Sequence, residues 1–91
     1  MTELNHLPNI GKVLAKNLNL IGISKPQDLK SKGTERIILE LLTIPHHGVC
    51  INMVYAIEGA IQGIRWHGLS VERKNELKEF YKSLRLNDSA S

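Results

Sequence analysis

A proline, an asparagine and a glycine lead directly into a lysine-containing helical pattern at residues 7–18, LPNIGKVLAKNL. The first amides of a helix lack intrahelical acceptors, and the aligned peptide dipoles add partial positive charge there. Such a helix start can bind an anion. An ordinary helix start, with the Asn9 side chain capping the amide of Gly11 or Lys12, accounts for the same residues. The pattern therefore predicts either a plain cap or a site for one phosphate formed by Asn9, Ile10, Gly11, Lys12 and Lys16.

Histidine and cysteine side chains offer little further chemistry. His46, His47 and Cys50 lie close together in the sequence, but a structural zinc site needs four ligands. We expect no metal and no cofactor, and we expect Cys50 to face the core as a small apolar residue. Because no activated nucleophile and no pair of converging carboxylates is evident, the sequence does not predict an enzyme.

Arg65 and Trp66 form a second candidate contact point. A tryptophan beside an arginine can stack on a base or anchor a protein partner. The other interpretation, which we expect, is that Trp66 fills the core where a helix ends.

The last predicted helix carries a stripe of cations on one side. At about 100° per residue, these side chains share a face that is separate from its acidic and apolar faces. The stripe is typical of a solvated helix surface, because acidic residues near the start of a helix and basic residues near its end complement the helix dipole. It also fits a contact with phosphates or with an acidic protein surface, because its charges are expected to be unpaired along the helix. Its members are Lys74, Lys78, Lys82 and Arg85.

Composition limits the class of protein. The 91 residues suffice for one domain, and the apolar fraction of 42% is that of a globular chain. The single cysteine and the lack of a signal-peptide pattern predict a reducing, cytoplasmic setting. The most apolar segment, residues 49–64, is too short and too interrupted to cross a membrane. A net charge of +3 favours an anionic partner only weakly.

Helical periodicity and stop signals predict an all-α fold of about five short helices, ordered over residues 4–85, with a polar tail at residues 87–91. Gly22 is expected just past the end of the first helix. A capping box of Ser24 and Gln27 is expected to start the second, Thr34 to cap the third and Ser70 to cap the last. The first helix is predicted to end near Leu20. The second covers about 25–31, the third runs from Thr34 to a loop at 44–48, and the last two cover about 49–64 and 71–85.

Small side chains line one ridge of the fourth predicted helix, at Ala56, Gly59, Ala60 and Gly63. Their spacing predicts a close approach by a neighbouring helix. On another side, we expect Glu58 to lie on a partly exposed strip with Tyr55 and Gln62.

The segment LPNIGKVLAKNLNLIGISKPQDLKSKG resembles the hairpin and following helix of helix-hairpin-helix modules, and also the DNA-contacting end of the RNA polymerase alpha subunit's C-terminal domain. The resemblance implies that the turn and the next amides hold a DNA backbone phosphate. Asn9 replaces the usual first glycine of the hairpin, and asparagine tolerates left-handed dihedral angles. Met1–His6 is long enough for at most about one turn of the preceding helix.

Three blocks, LPNIGKVLAKNLNLIGI, NMVYAIEGAIQGIRWHGLS and ERKNELKEFYKSL, make residues 4–83 similar to the C-terminal domain of TfoX-type competence regulators. This resemblance implies an all-α domain linked to DNA transformation and its regulation, in a family whose members often have two domains. The sequence thus predicts a weak, non-specific DNA-binding module. The alternative is a protein-interaction domain that binds a larger regulator or forms a homodimer.

Overall fold

The computed structural model describes residues 3–44 and 48–90, and within them the chain forms only helices. The all-α prediction is therefore confirmed. A 3-10 helix, Glu3–His6, comes first, and a second one, Trp66–Gly68, connects the last two α-helices. The α-helices are α1 (Lys12–Leu20), α2 (Pro26–Lys32), α3 (Thr34–Leu41), α4 (Ile51–Gln62) and α5 (Val71–Ala90).

The end of α1 follows the prediction. The helix ends at Leu20, and Gly22 adopts a φ of +87°, which glycine reaches without a Cβ clash. The Ile23 amide donates to the Leu18 carbonyl at 3.0 Å, and its side chain is buried against the core. This fold-back gives the Leu18 carbonyl a second donor beside the Ile21 amide, which donates to it at 3.1 Å.

The starts of α2 and α3 differ from the predicted caps. The Asp28 carboxylate, rather than Gln27, accepts from the amides of Ser24 and Lys25, each at 3.2 Å. An ionised acceptor in the first turn also complements the helix dipole, which favours aspartate in this position. Gly33 precedes α3, so Thr34 is its first helical residue rather than its cap.

Helix α4 is shorter than predicted at both ends. Cys50 precedes its first turn and is exposed, so the expectation that Cys50 faces the core is wrong. At the other end, Gly63 has a φ of +75° and donates to the Ala60 carbonyl, which stops the helix. The predicted His46–His47 pair lies outside the described residues.

Helix α5 begins as predicted and extends further than predicted. The Ser70 hydroxyl oxygen accepts from the Arg73 amide at 3.1 Å, which confirms the cap. The helix continues through Ala90, past the predicted end at Arg85 and through most of the expected tail. Residues 85–90 contain neither glycine nor proline, so nothing in the local sequence stops it.

The core is centred on α4, which packs against α2, α3 and α5. Its buried side chains meet the apolar sides of the other helices, including the predicted Leu77 side of α5, where Phe80, Tyr81 and Leu84 pack around the edge. No helix in the described part of the chain is long and apolar enough to cross a membrane. The fully buried large side chains are Leu4, Leu18, Ile23, Leu29, Ile37, Ile38, Val54, Ile57 and Leu77.

Candidate functional site

The turn before α1 has the backbone geometry that its sequence suggests. Asn9 has a φ of +71° and is the one non-glycine residue with positive φ in the described ranges. Asparagine populates this left-handed region more readily than most residues, so its place in the turn is understandable. The next side chain, Ile10, is buried in the core and anchors the turn to the body of the domain.

The Asn9 side chain does not cap α1, so its predicted role as N-cap is wrong. Its amide nitrogen donates to the Ile64 carbonyl at 3.0 Å and to the Ala56 carbonyl at 3.5 Å, while its oxygen accepts from the Trp66 amide at 3.3 Å. The Ile64 carbonyl and the Trp66 amide lie just past the end of α4, where helical pairing stops, and the Ala56 carbonyl lies within α4. The carboxamide therefore joins the first turn to the α4–α5 connection.

Gly11 takes the cap position of α1, and no side chain bonds to the helix start. The amides of Lys12, Val13 and Leu14 have no hydrogen-bond acceptor among the described residues. Gly11, Lys12 and Val13 are all exposed, so solvent or a ligand can reach this end. The helix start is open to an anion in the way that the phosphate-site prediction requires.

All charged side chains of α1, the helix that follows the turn, are positive. The helix contains no acidic residue. Lys12 and Lys16 are exposed and one turn apart, which places them on the same side, and neither forms an ion pair with the rest of the described chain. The two ammonium groups and the helix dipole therefore act in the same direction.

Trp66 lies at the surface rather than in the core, contrary to expectation. It is half-buried, and its ring stacks with Tyr55 at 5.6 Å between centroids and with His67 at 4.0 Å. The ammonium of Lys74 lies over the indole at 5.7 Å. Gly63 ends α4 three residues before Trp66, and the indole stacks on Tyr55 of that helix instead of filling the core at its end.

The predicted cationic stripe is only partly free. Lys82 pairs with Glu79 at 3.7 Å, which corrects the expectation that the stripe is unpaired along its own helix. The i, i+3 spacing brings these two side chains together. Lys74 is engaged with Trp66, whereas Lys78 is exposed. The Arg85 side chain lies outside the described part of the structure.

A buried polar cluster was missed by sequence reasoning. Glu58 is 7% exposed, not part of an exposed strip, because it accepts from Arg73 at 2.9 Å and from Thr34 at 2.7 Å. Gln62 donates to its other oxygen at 2.6 Å. Arg73 also binds both oxygens of Glu35, at 3.0 and 3.1 Å. A buried carboxylate needs such partners, so a glutamate within the apolar pattern of α4 was the signal in the sequence that could have indicated this cluster.

The pKa values of this cluster favour its charged form. Burial raises the pKa of Glu58, but hydrogen bonds from Arg73, Thr34 and Gln62 outweigh it, and the net pKa is below the ordinary 4.5. The pKa of Glu35 is also lowered, chiefly by its hydrogen bonds from Arg73. The pKa of Arg73 is raised, with the hydrogen bond to Glu58 as the largest cause. The cluster is a structural ion-pair network that connects α3, α4 and α5.

The small-residue ridge is filled from within the chain. Ala56, Gly59 and Ala60 are buried. A Cβ on Gly59 would lie 2.5 Å from the side-chain amide nitrogen of Asn9 and 2.8 Å from the Ile64 carbonyl oxygen. The ridge was predicted to face a neighbouring helix, but the close approach at Gly59 is made by a side chain and a turn. Within the described ranges, no group of three or more histidine, cysteine or acidic side chains could hold a metal ion.

Fold and site together define a small helical domain with an open, cationic helix start at one turn. The chain belongs to the TfoX C-terminal domain family, whose model matches residues 1–81. The structure is similar to the triclinic crystal form of an uncharacterized protein from Listeria monocytogenes, with 48% identity and a TM-score of 0.85 over 90% of this chain and 92% of that one. A tetragonal form, described as a Listeria monocytogenes protein of unknown function, matches with 48% identity and a TM-score of 0.82 over 88% and 98%. No curated protein matches the chain significantly.

Proposed function

We propose that this domain binds the backbone of nucleic acid through one phosphate, held at the turn Asn9–Gly11 and the first amides of α1. The observation that carries the proposal is the direction of the Asn9 side chain. Since its carboxamide bonds to Ile64 and Trp66, the amides of Lys12 and Val13 stay open to an outside acceptor. A phosphate oxygen is a suitable acceptor for uncapped helix amides.

The lysines would supply most of the long-range attraction. Lys12 and Lys16 act as mobile point charges and carry no base-specific information, so binding should be independent of sequence. Two to four phosphate contacts give a slope of log affinity against log salt of about −2 to −4. The isolated domain should therefore bind weakly, in the micromolar range or poorer.

In this function the domain is a binding module rather than an enzyme, and it acts in the cytoplasm. Membership of the TfoX C-terminal domain family suggests that the bound nucleic acid is DNA and that the role lies in the regulation of DNA transformation. In this function, we expect the turn before α1 to act as the hairpin of a helix-hairpin-helix module.

The charge reversal Lys12→Glu with Lys16→Glu should abolish binding of a short DNA duplex at low salt, because it replaces attraction with repulsion beside the phosphate site. Fluorescence anisotropy of labelled duplex measures the affinity. Lys25→Glu with Lys30→Glu is the matched control: both residues are exposed, and the pair makes the same change in net charge. The turn precedes the first residue of α1, whereas α2 follows the last one. The control should therefore retain most of the affinity.

Amide chemical shifts locate the contact directly. On titration with duplex DNA, the amides of residues 9–13 should shift most strongly. Equal loss of affinity in both charge-reversal variants, or shifts spread over α2 and α5, would contradict a phosphate site at this turn.

A protein-interaction domain is the second candidate, and the half-buried Trp66 stack is the observation that favours it. The ridge at Gly59 cannot serve that purpose, because it is filled within the chain. A largely apolar contact should persist at physiological salt, where a phosphate contact weakens steeply. Sedimentation without DNA tests for a homodimer.

A further inference from the structure

The aromatic strip formed by Tyr55, Trp66 and His67 lies next to the proposed phosphate site. We propose that this strip stacks on an unpaired base, so that the preferred ligand is single-stranded nucleic acid. The inference rests on the proposed function and adds to it the strandedness of the ligand.

The strip presents a surface suited to one more planar ring. Tyr55 and Trp66 are inclined by 20°, and Trp66 and His67 by 26°, so the rings of each neighbouring pair are close to parallel. His67 is the exposed member, and Trp66 is its one ring contact among the described residues. A base can therefore extend the stack on the outer face of the imidazole.

The strip and the turn are connected through one side chain. Asn9 accepts from the Trp66 amide at 3.3 Å and donates to the Ile64 carbonyl at 3.0 Å, two residues before the indole. The aromatic strip thus begins directly behind the turn whose amides would hold the phosphate. Since the Trp66 backbone is bonded to the turn itself, we expect a strand whose phosphate binds at Gly11 to reach Trp66 and His67 with a neighbouring base.

Charge around the strip matches a nucleic-acid strand. Arg65 is exposed beside Trp66, and Lys74 lies over the indole at 5.7 Å. Neither cation forms an ion pair within the described residues. Rings interleaved with cations are typical of surfaces that bind single strands, since the rings stack on bases while the cations follow the backbone. A duplex hides its base faces within its own stack, so it can use only the phosphate part of the site.

The test compares oligothymidylate of about ten nucleotides with an oligothymidylate–oligoadenylate duplex of the same length. Trp66 is the one tryptophan of the chain, so its fluorescence reports on the strip. The single strand should bind more tightly and quench this fluorescence more strongly. His67→Ala should weaken single-strand binding by about 5- to 20-fold and leave duplex binding unchanged, because it removes a stacking partner and no charge contact.

Gln27→Ala, at an exposed residue of α2, is the control and should leave both affinities unchanged. If His67→Ala leaves single-strand binding unchanged while Lys12→Glu with Lys16→Glu still abolishes duplex binding, the stacking inference is wrong and the phosphate site stands. If neither DNA binds, the proposed function fails as well. If His67→Ala instead disrupts self-association of a chain that binds no DNA, the strip is a protein contact and the inference is overturned.

Discussion

At the scale of single residues, the fit between Asn9 and Gly59 explains how the turn is held. The Asn9 carboxamide occupies the space that a side chain at position 59 would need, and its three hydrogen bonds end on backbone groups within α4 and in the turn that follows it. A larger residue at position 59 would displace this carboxamide. The turn geometry therefore depends on a glycine that lies 50 residues away in the sequence.

Gly59→Ala tests this dependence. The added Cβ would lie 2.5 Å from the side-chain amide nitrogen of Asn9 and 3.0 Å from the backbone nitrogen of Trp66, so the turn must shift. We expect a loss of about 1–3 kcal/mol in the free energy of unfolding, measured by urea denaturation. Gly68→Ala is the control, since its Cβ would meet only Ile64 at 3.7 Å. Equal stability of the two variants would mean that the Asn9–Gly59 fit is loose.

At the scale of elements, helix starts in this domain are stabilised in different ways. A serine caps α5, an aspartate in the first turn supports α2, and α1 has no side-chain cap. An uncapped start leaves donors that must bond to water or to a ligand. The starts of α3 and α4 also lack a side-chain cap, so α1 is marked as the candidate binding end by its uncapped start together with the exposed Lys12 and Lys16.

Ser70→Ala should lower the free energy of unfolding by about 1 kcal/mol, because the Arg73 amide loses its acceptor. Thermal denaturation followed by circular dichroism measures the change. Ser31→Ala, at an exposed site near the end of α2, serves as the comparison and should change stability by less than about 0.5 kcal/mol. A Ser70→Ala variant as stable as the comparison would show that the cap contributes little.

At the scale of the whole molecule, Arg73 ties α5 to the two helices beneath it. Its guanidinium bonds to Glu58 of α4 and to Glu35 of α3. Arg73→Met leaves the buried Glu58 carboxylate without its cation, and we expect a loss of about 2–3 kcal/mol on urea unfolding at neutral pH. Lys82→Met breaks only the exposed pair with Glu79 and should cost less than about 0.5 kcal/mol.

The same cluster predicts how stability depends on pH. The pKa values of Glu35 and Glu58 are lower in the folded chain than their ordinary 4.5, so the folded state holds these protons less tightly than the unfolded state. Their contribution to stability is complete above 4.5 and is lost as pH falls through the folded pKa values. The urea midpoint should therefore fall between about pH 6 and about pH 3, and Arg73→Met should reduce this fall. A variant with the same acid dependence as the original chain would exclude Arg73 as its source.

The sequence by itself determined the helices and some of their ends, because periodicity and stop signals act over a few residues. Leu20 ends α1 before a left-handed Gly22, and Ser70 caps α5, both as predicted. Tertiary structure alone decided the partners of Asn9 and Glu58. Asn9 bonds to a backbone amide 57 positions away, and Glu58 meets Arg73 across two helices. Such pairs depend on how the helices pack, and that packing decided whether the first amides of α1 would be capped or open.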